Sequence, residues 1–287
     1  MTYQETTLTS ADGHSLFMRI WTPDRPVRAV LVLVHGLGEH AGRYHHVVTA
    51  FLNEGYALYG CDHRGFGKSS GKRGHYERFD DLLDDLDQVI THARRAYPDQ
   101  PLALYGHSLG AMIGTHYLAR RIRPRHPAAV AAAVLSAPAY GPGPDLSPAK
   151  IRLSRVLARV APGFTIDTGG SGSLQLSHDA EVQAAYAADP WCHDLVTTRF
   201  ATVSLQKAVE AQTILPTLGL PILVILGDHD TVINRQAVLD AVAQAGPNVT
   251  FRRYPTCHES HNELPELREP VLRETVAWMA AALGPSS

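Results

Sequence analysis

Apolar runs recur along the chain at intervals that leave room for one helix between each pair. They fall at 27–34 (V-R-A-V-L-V-L-V), 56–61 (Y-A-L-Y-G-C), 102–105 (L-A-L-Y), 128–135 (A-A-V-A-A-A-V-L) and 222–226 (I-L-V-I-L), with a more mixed one at 249–254 (V-T-F-R-R-Y). Runs without polar alternation predict strands buried on both faces, as in a parallel sheet. The intervening stretches carry helical spacing instead. Residues 44–54 are stopped by Gly55; 77–97 place Phe79, Leu82, Leu83, Leu86, Val89 and Ile90 on one face and are closed by Pro98; and 266–283 form a terminal amphipathic helix before a loose tail, 284–287. Ahead of them, Asp12-Gly13 between T-T-L-T and S-L-F-M-R-I-W predicts an antiparallel hairpin. The chain predicts an α/β fold with a mostly parallel sheet.

The alternation breaks between Ala137 and Pro221. Pro138, Pro142, Pro144 and Pro148, with their glycines, mark an exit from the sheet, and I-R-L-S-R-V-L-A-R-V has apolar residues at helical spacing opposite three arginines. A long strandless stretch inside an α/β pattern reads as an inserted helical cap over the C-terminal edge of the sheet. The expected organisation is core (1–137), cap (138–220) and core again (221–287). The apolar face of the first cap helix is suited to packing or to transient contact with acyl chains at a membrane surface.

Composition narrows the class. The 287 residues are 45% hydrophobic and 19% charged, and the net charge of −2 offers no field for nucleic acid. Arg120, Arg121, Arg123 and Arg125 fall where a helix should end, so the expectation is a solvated terminus. Asp80, Asp81, Asp84, Asp85 and Asp87 lie in the early turns of another helix and read as a solvated face without chemistry. Cys61, Cys192 and Cys257 are odd in number and far apart, so neither a disulfide framework nor a spaced zinc site is expected. With no export signal or long apolar span in the pattern, a cytoplasmic protein, at most peripheral to a membrane, is expected.

The candidate chemistry centres on P-L-A-L-Y-G-H-S-L-G-A-M-I-G, residues 101–114, in which G-x-S-x-G stands between a strand and a helix. Such a turn is strained and exposes the serine hydroxyl, and small residues two before and two after Ser108 leave room for the neighbouring strand and helix. A serine hydroxyl needs a base to take its proton, and that base needs a carboxylate to hold its tautomer. Both belong at C-terminal strand ends. After 222–226 comes G-D-H-D, offering Asp228 or Asp230; after 249–254 comes C-H-E-S-H, offering His258 or His261. The order Ser, Asp, His fits an α/β-hydrolase. Two other matches fail on spacing: H-E-S-H is one residue short of H-E-x-x-H, and G-F-G-K-S lacks the first glycine of a phosphate loop, Asp62 standing there. D-H-R-G-F-G is expected to be a turn that supports the H-G loop. His45, His46, His92, His116 and His126 read as surface or packing residues.

Taken together, H-G-L-G-E-H-A-G-R-Y (35–44), D-H-R-G-F-G-K-S (62–69), G-H-S-L-G (106–110), S-H-D-A-E-V-Q-A-A-Y-A-A-D-P (177–190), G-D-H-D (227–230) and H-E-S-H-N-E-L-P-E (258–266) resemble the monoacylglycerol lipase and lysophospholipase group of the α/β-hydrolase family over nearly the whole chain. The resemblance implies Asp230 as the acid, through G-x-x-D, and His258 as the base, through the first histidine of H-x-x-H-x-E-L-P-E. It implies an oxyanion hole from the backbone N–H groups of Leu37 and Leu109. It also places Glu39, Arg43 and His261 at the polar end of a pocket that takes a glycerol hydroxyl. Thr256-Cys257 departs from the glycine-containing turn usual in this group.

The implied reaction is hydrolysis of a carboxylic ester, with monoacylglycerol as the expected substrate and Ser108, His258 and Asp230 as the triad. No cofactor and no metal are implied. Short-chain esters and lysophospholipids are the alternative substrates. A prolyl-type aminopeptidase and a non-catalytic binding protein on the same fold are the remaining rivals.

Overall fold

The computed structural model of the chain describes residues 1–122, 130–143, 148–169 and 175–284. Arg123, Arg125, His126, Pro144 and residues 285–287, singled out above, lie outside the described residues.

Thr2–Thr9 (β1) and Ser15–Thr22 (β2) pair antiparallel and are joined at Asp12-Gly13, where Gly13 adopts φ +87°. A positive φ is open to glycine without steric cost, which is why this dipeptide marks the hairpin. The strands Ala29–Val34 (β3), Tyr56–Cys61 (β4), Leu102–His107 (β5), Ala132–Ser136 (β6), Ile222–Gly227 (β9) and Val249–Tyr254 (β10) run parallel in one sheet of order β1-β2-β4-β3-β5-β6-β9-β10. The alternation of strand side chains divides the core in two. Val30, Val32 and Val34 point into one layer, with Leu83 of Phe79–Ala96 (α2) and Met112 of Leu109–Tyr117 (α3). Leu31 and Leu33 point into the other, with Phe51 of His45–Leu52 (α1) and Met279 of the last helix. Period-two alternation on a strand covered on both faces leaves no polar position, hence the continuous apolar runs.

The acidic run of α2 departs from expectation. Asp81 and Asp85 are buried rather than solvated, and Asp85 receives two hydrogen bonds of 2.7 Å from Arg64, which also reaches Asp12. Asp80 and Asp84 pair with Arg120 and Arg121, the described part of the basic run, and Asp87 accepts from the Tyr117 hydroxyl. Helical spacing places all five on α2, but only the neighbouring chain decides which of them meet cations.

Between β6 and β9 the chain leaves the sheet through Pro148–Val160 (α4), Thr165–Asp167 (β7), Ala180–Ala188 (α5), Leu195–Thr197 (β8) and Thr198–Ile214 (α6). The expected strandless segment contains an antiparallel pair, β7 with β8. Three-residue strands are too short to register as a period. The helices Arg235–Ala243 (α7) and Pro265–Leu283 (α8) complete the chain. No described helix is long and apolar enough to cross a membrane.

Arg64→Met leaves the Asp85 carboxylate buried without its cation and is expected to cost about 3–5 kcal/mol, measured by urea denaturation. Arg120→Ala, on the exposed pair, is expected to cost less than about 1 kcal/mol.

Candidate active site

Ser108 leaves the buried strand β5 at φ +52°, ψ −116° and opens α3. Among the described residues only Ala137 shares a positive φ without being glycine. Strain of this kind survives only where the surroundings over-determine it, and here they do. The Ser108 N–H donates to Ser136 O at 2.9 Å, and its carbonyl accepts from Ala111 and Met112. A Cβ on Gly110 would lie 1.9 Å from Val34 O, and one on Gly106 would lie 2.7 Å from Gly110 O. The two glycines of G-x-S-x-G therefore permit strand β5, helix α3 and the end of β3 to converge.

The H-G loop following β3 closes on the same point, and a Cβ on Gly36 would meet Ser108 Cβ at 3.4 Å. Its support comes from the D-H-R-G turn, as expected. The His63 N–H donates to His35 Nε2 at 2.8 Å, which makes His35 Nδ1 the protonated nitrogen and lets it donate to Gly36 O, also at 2.8 Å. Burial pulls the His35 imidazole well below its ordinary value, consistent with a neutral ring serving as both donor and acceptor. Asp62 accepts from Arg19, Ala41 N–H and Lys68 N–H, pinning the turn.

From the far side of the sheet, the loops after β9 and β10 bring Asp230 and His258 together, with Oδ2 and Nδ1 2.8 Å apart. Asp230 Oδ1 accepts from the N–H groups of Val232 and Ile233. Burial by itself raises a carboxyl, but the His258 imidazole and these donors outweigh it and hold Asp230 below its usual range. Burial likewise pulls His258 down, and the Asp230 charge reverses this, raising it above 6.5. Asp228 instead sits at the edge, where Arg253 donates to its carboxylate at 2.7 Å. His261 has no place in this pair: it is fully buried, stacks on Tyr44 at 4.8 Å and is pushed down to about 3 by burial.

Ser108 and His258 face one cavity of about 400 Å3, whose wall also includes Leu37, Leu109 and Glu39. Its remainder is mostly apolar and comes largely from the excursion, through Ile166, Leu176, Tyr186, Val196, Phe200 and Leu205. Arg43 and His261, expected on the wall, are packed behind it. Arg43 bridges Glu39 and Glu259 with hydrogen bonds of 2.7–2.8 Å, and Glu39 also accepts from Gly36 N–H and the Tyr44 hydroxyl. Burial, with Glu259 nearby, pushes Glu39 up; on Glu259 burial acts the same way but the bidentate Arg43 outweighs it and holds that carboxyl low. Glu259 was missed by motif reasoning, although it is the residue after His258. The excursion residues carried no signal, since scattered apolar side chains look alike whether they face a core or a cavity.

Residues 25–265 match the family model described as serine aminopeptidase, S33. The chain belongs to the serine aminopeptidase S33 family. It is 34% identical to a monoacylglycerol lipase of Mycolicibacterium smegmatis, over 98% of this chain and 99% of that one. Among solved structures it is similar to a Paleococcus ferrophilus monoacylglycerol lipase, with a TM-score of 0.82, 27% identity and coverage of 93% and 99%. It is also similar to a thermostable carboxyl esterase from Bacillus coagulans in complex with glycerol, with a TM-score of 0.84, 25% identity and coverage of 99% and 100%. This S33 family member is an α/β-hydrolase enzyme, and its expected resemblance to the monoacylglycerol lipase group is borne out.

In an NMR titration of the histidine side chains, His258 is expected to protonate above pH 6.5 and His261 to stay neutral to below pH 4. Asp230→Asn removes the largest of the charges that raise His258 and leaves only Glu259 and Glu39 to oppose burial, so its titration should move down. A His258 midpoint unchanged by that substitution would contradict the assigned balance.

Proposed function

We propose that this hydrolase cleaves monoacylglycerol to fatty acid and glycerol through an acyl-enzyme on Ser108. The observation that carries the reading is a buried His258–Asp230 pair on the same apolar cavity as a serine held at φ +52°. His258 Nδ1 is committed to Asp230, which leaves Nε2 to take the Ser108 proton as Oγ attacks the ester carbonyl. Asp230 then stabilises the imidazolium. The oxyanion is held by the N–H groups of Leu37 and Leu109. Leu109 begins α3, where the first N–H groups have no intrahelical acceptor, and Leu37 follows a glycine whose own N–H is spent on Glu39. The alcohol leaves with the proton from His258, and water activated by the same nitrogen clears the acyl group.

In this proposal the segment 138–220 is a cap on the core formed by 1–137 and 221–287, and it supplies the apolar wall for the acyl chain. A volume of about 400 Å3 lies within the range of pockets for single small ligands. Of the polar residues on the wall, which include Glu259, Glu39 is the one taken to contact the alcohol, while Arg43 and His261 position it and its loop from behind. The names of the relatives support monoacylglycerol, and the carboxyl esterase among the similar structures supports a short-chain ester as the second reading.

Fatty-acid release from monooleoylglycerol is expected to outpace release from dioleoylglycerol and to vanish in Ser108→Ala. Asp230→Asn is expected to lower kcat by about 10⁴, while Asp228→Asn keeps most of it. Turnover of p-nitrophenyl butyrate without monooleoylglycerol would favour the short-chain reading. Cleavage of a prolyl p-nitroanilide in preference to either ester would favour a peptidase.

The cap also carries the proposal of membrane contact. Leu153, Val156, Val160 and Phe164 are exposed, and Arg152, Arg155 and Arg159 are on the same helix as the first three. Such a surface suits an anionic lipid interface. Co-sedimentation with phosphatidylglycerol vesicles is expected, and Leu153→Ser combined with Val156→Ser should reduce it; equal recovery of both proteins in the pellet would count against the contact.

A further inference from the structure

We propose that Tyr186 is a positioning residue: through its hydroxyl, the excursion between β6 and β9 holds the H-G loop in the geometry that aims the Leu37 N–H at the oxyanion. The inference rests on the role proposed above for that N–H. It gives the excursion a part in the chemical step as well as in forming the apolar wall.

Leu37 lies between two glycines that are fixed from different sides. On the core side, the Gly36 N–H donates to Glu39 at 2.7 Å and the Gly36 carbonyl accepts from His35 Nδ1 at 2.8 Å. A trans peptide points its C=O and N–H in opposite directions, so the bond to Gly36 O also orients the N–H of Leu37. On the other side stands Gly38, at φ +78°. A glycine leaves such a conformation at little steric cost, so the backbone there must be held by what surrounds it. Among the described residues, the two donors to the Gly38 carbonyl both come from the excursion: the Tyr186 hydroxyl at 3.2 Å and the His193 N–H at 2.9 Å. The fit is close, since a Cβ on Gly38 would lie 2.6 Å from the Tyr186 oxygen and 2.9 Å from His193 O.

Tyr186 is itself fixed on the core. It is a buried residue in the last turn of α5, and its ring lies 4.6 Å from Cζ of Arg43, which is clamped between Glu39 and Glu259. A cation over the face of the ring holds the phenol in place. The turn that follows is fastened at two further points. His40 Nε2 and the Asp189 carboxylate stand 2.9 Å apart, two residues beyond Gly38 in the loop. The His193 ring stacks on Phe66 at 4.8 Å and donates from Nε2 to Gly65 O at 3.0 Å, in the turn that supports the H-G loop. Since Tyr186 also lines the cavity, a role in holding the loop has to be separated from a role in the wall.

Tyr186→Phe removes one oxygen and keeps the ring, and Asp189→Ala loosens the same turn through a side chain outside the cavity. The test substrate is p-nitrophenyl acetate, whose acyl group is too short to need the apolar wall. Losing an oxyanion donor outright costs about 10²–10³ in kcat, and loosening one in Tyr186→Phe is expected to cost about tenfold with KM little changed. Asp189→Ala should lower kcat in the same direction. Butylboronic acid forms a tetrahedral adduct on Ser108 with an oxygen in the oxyanion hole, so its inhibition constant should rise by the same factor as kcat falls. Full acetate turnover and unchanged boronate inhibition in both variants would overturn the proposal, whether the variants lower only Tm or only the turnover of monooleoylglycerol. Failure of the triad and oxyanion hole proposed above would appear in the wild-type enzyme, as absence of acetate turnover, and failure of the present proposal only in the variants.

Discussion

Everything in this molecule depends on how closely three backbones approach at one point. Helix α3 rests on the end of β3 so tightly that a methyl group on Gly110 would lie 1.9 Å from Val34 O, and Ser108 is held at φ +52° between them. A bulkier residue at either glycine would push α3 from the sheet and relax the serine into an ordinary conformation. The strain is local, but its support is global: Ser108 N–H is anchored on β6, and the H-G loop after β3 passes so close that a Cβ on Gly36 would meet the Ser108 Cβ at 3.4 Å.

Burial then sets the electrostatics. Charges withdrawn from water persist only with partners, and three such groupings surround the sheet edge. His258 with Asp230 forms a pair whose acidities are moved in opposite directions by mutual attraction. Arg43 with Glu39 and Glu259 links the loop after β3 to the loop after β10. Arg64 with Asp85 and Asp12 joins the turn after β4 to α2 and the first hairpin. Each joins segments remote in sequence, so each also fixes loop positions near the cavity.

The excursion between β6 and β9 is bound into the same framework. Gly38, in the H-G loop, accepts from the His193 N–H at 2.9 Å and from the Tyr186 hydroxyl at 3.2 Å, and the Thr197 N–H donates to Gly74 O. Apolar wall and polar floor are thus connected through backbone groups. A displacement of the excursion would be felt at Leu37, the residue immediately before Gly38.

The sequence by itself determined the sheet, the hairpin, the serine turn and the short set of candidate acids and bases. These follow from local rules: apolar runs, an Asp-Gly turn and the steric demands of G-x-S-x-G. It did not choose between Asp228 and Asp230 or between His258 and His261; resemblance made that choice, and the fold pairs Asp230 with His258. Tertiary structure alone decided which aspartates of α2 are buried against Arg64, that Arg43 and His261 stand behind the cavity wall, and that β7 and β8 pair. The physical reason is common to all of these: a side chain's partners are set by segments far away in the chain, and no periodicity within a segment records what will pack against it.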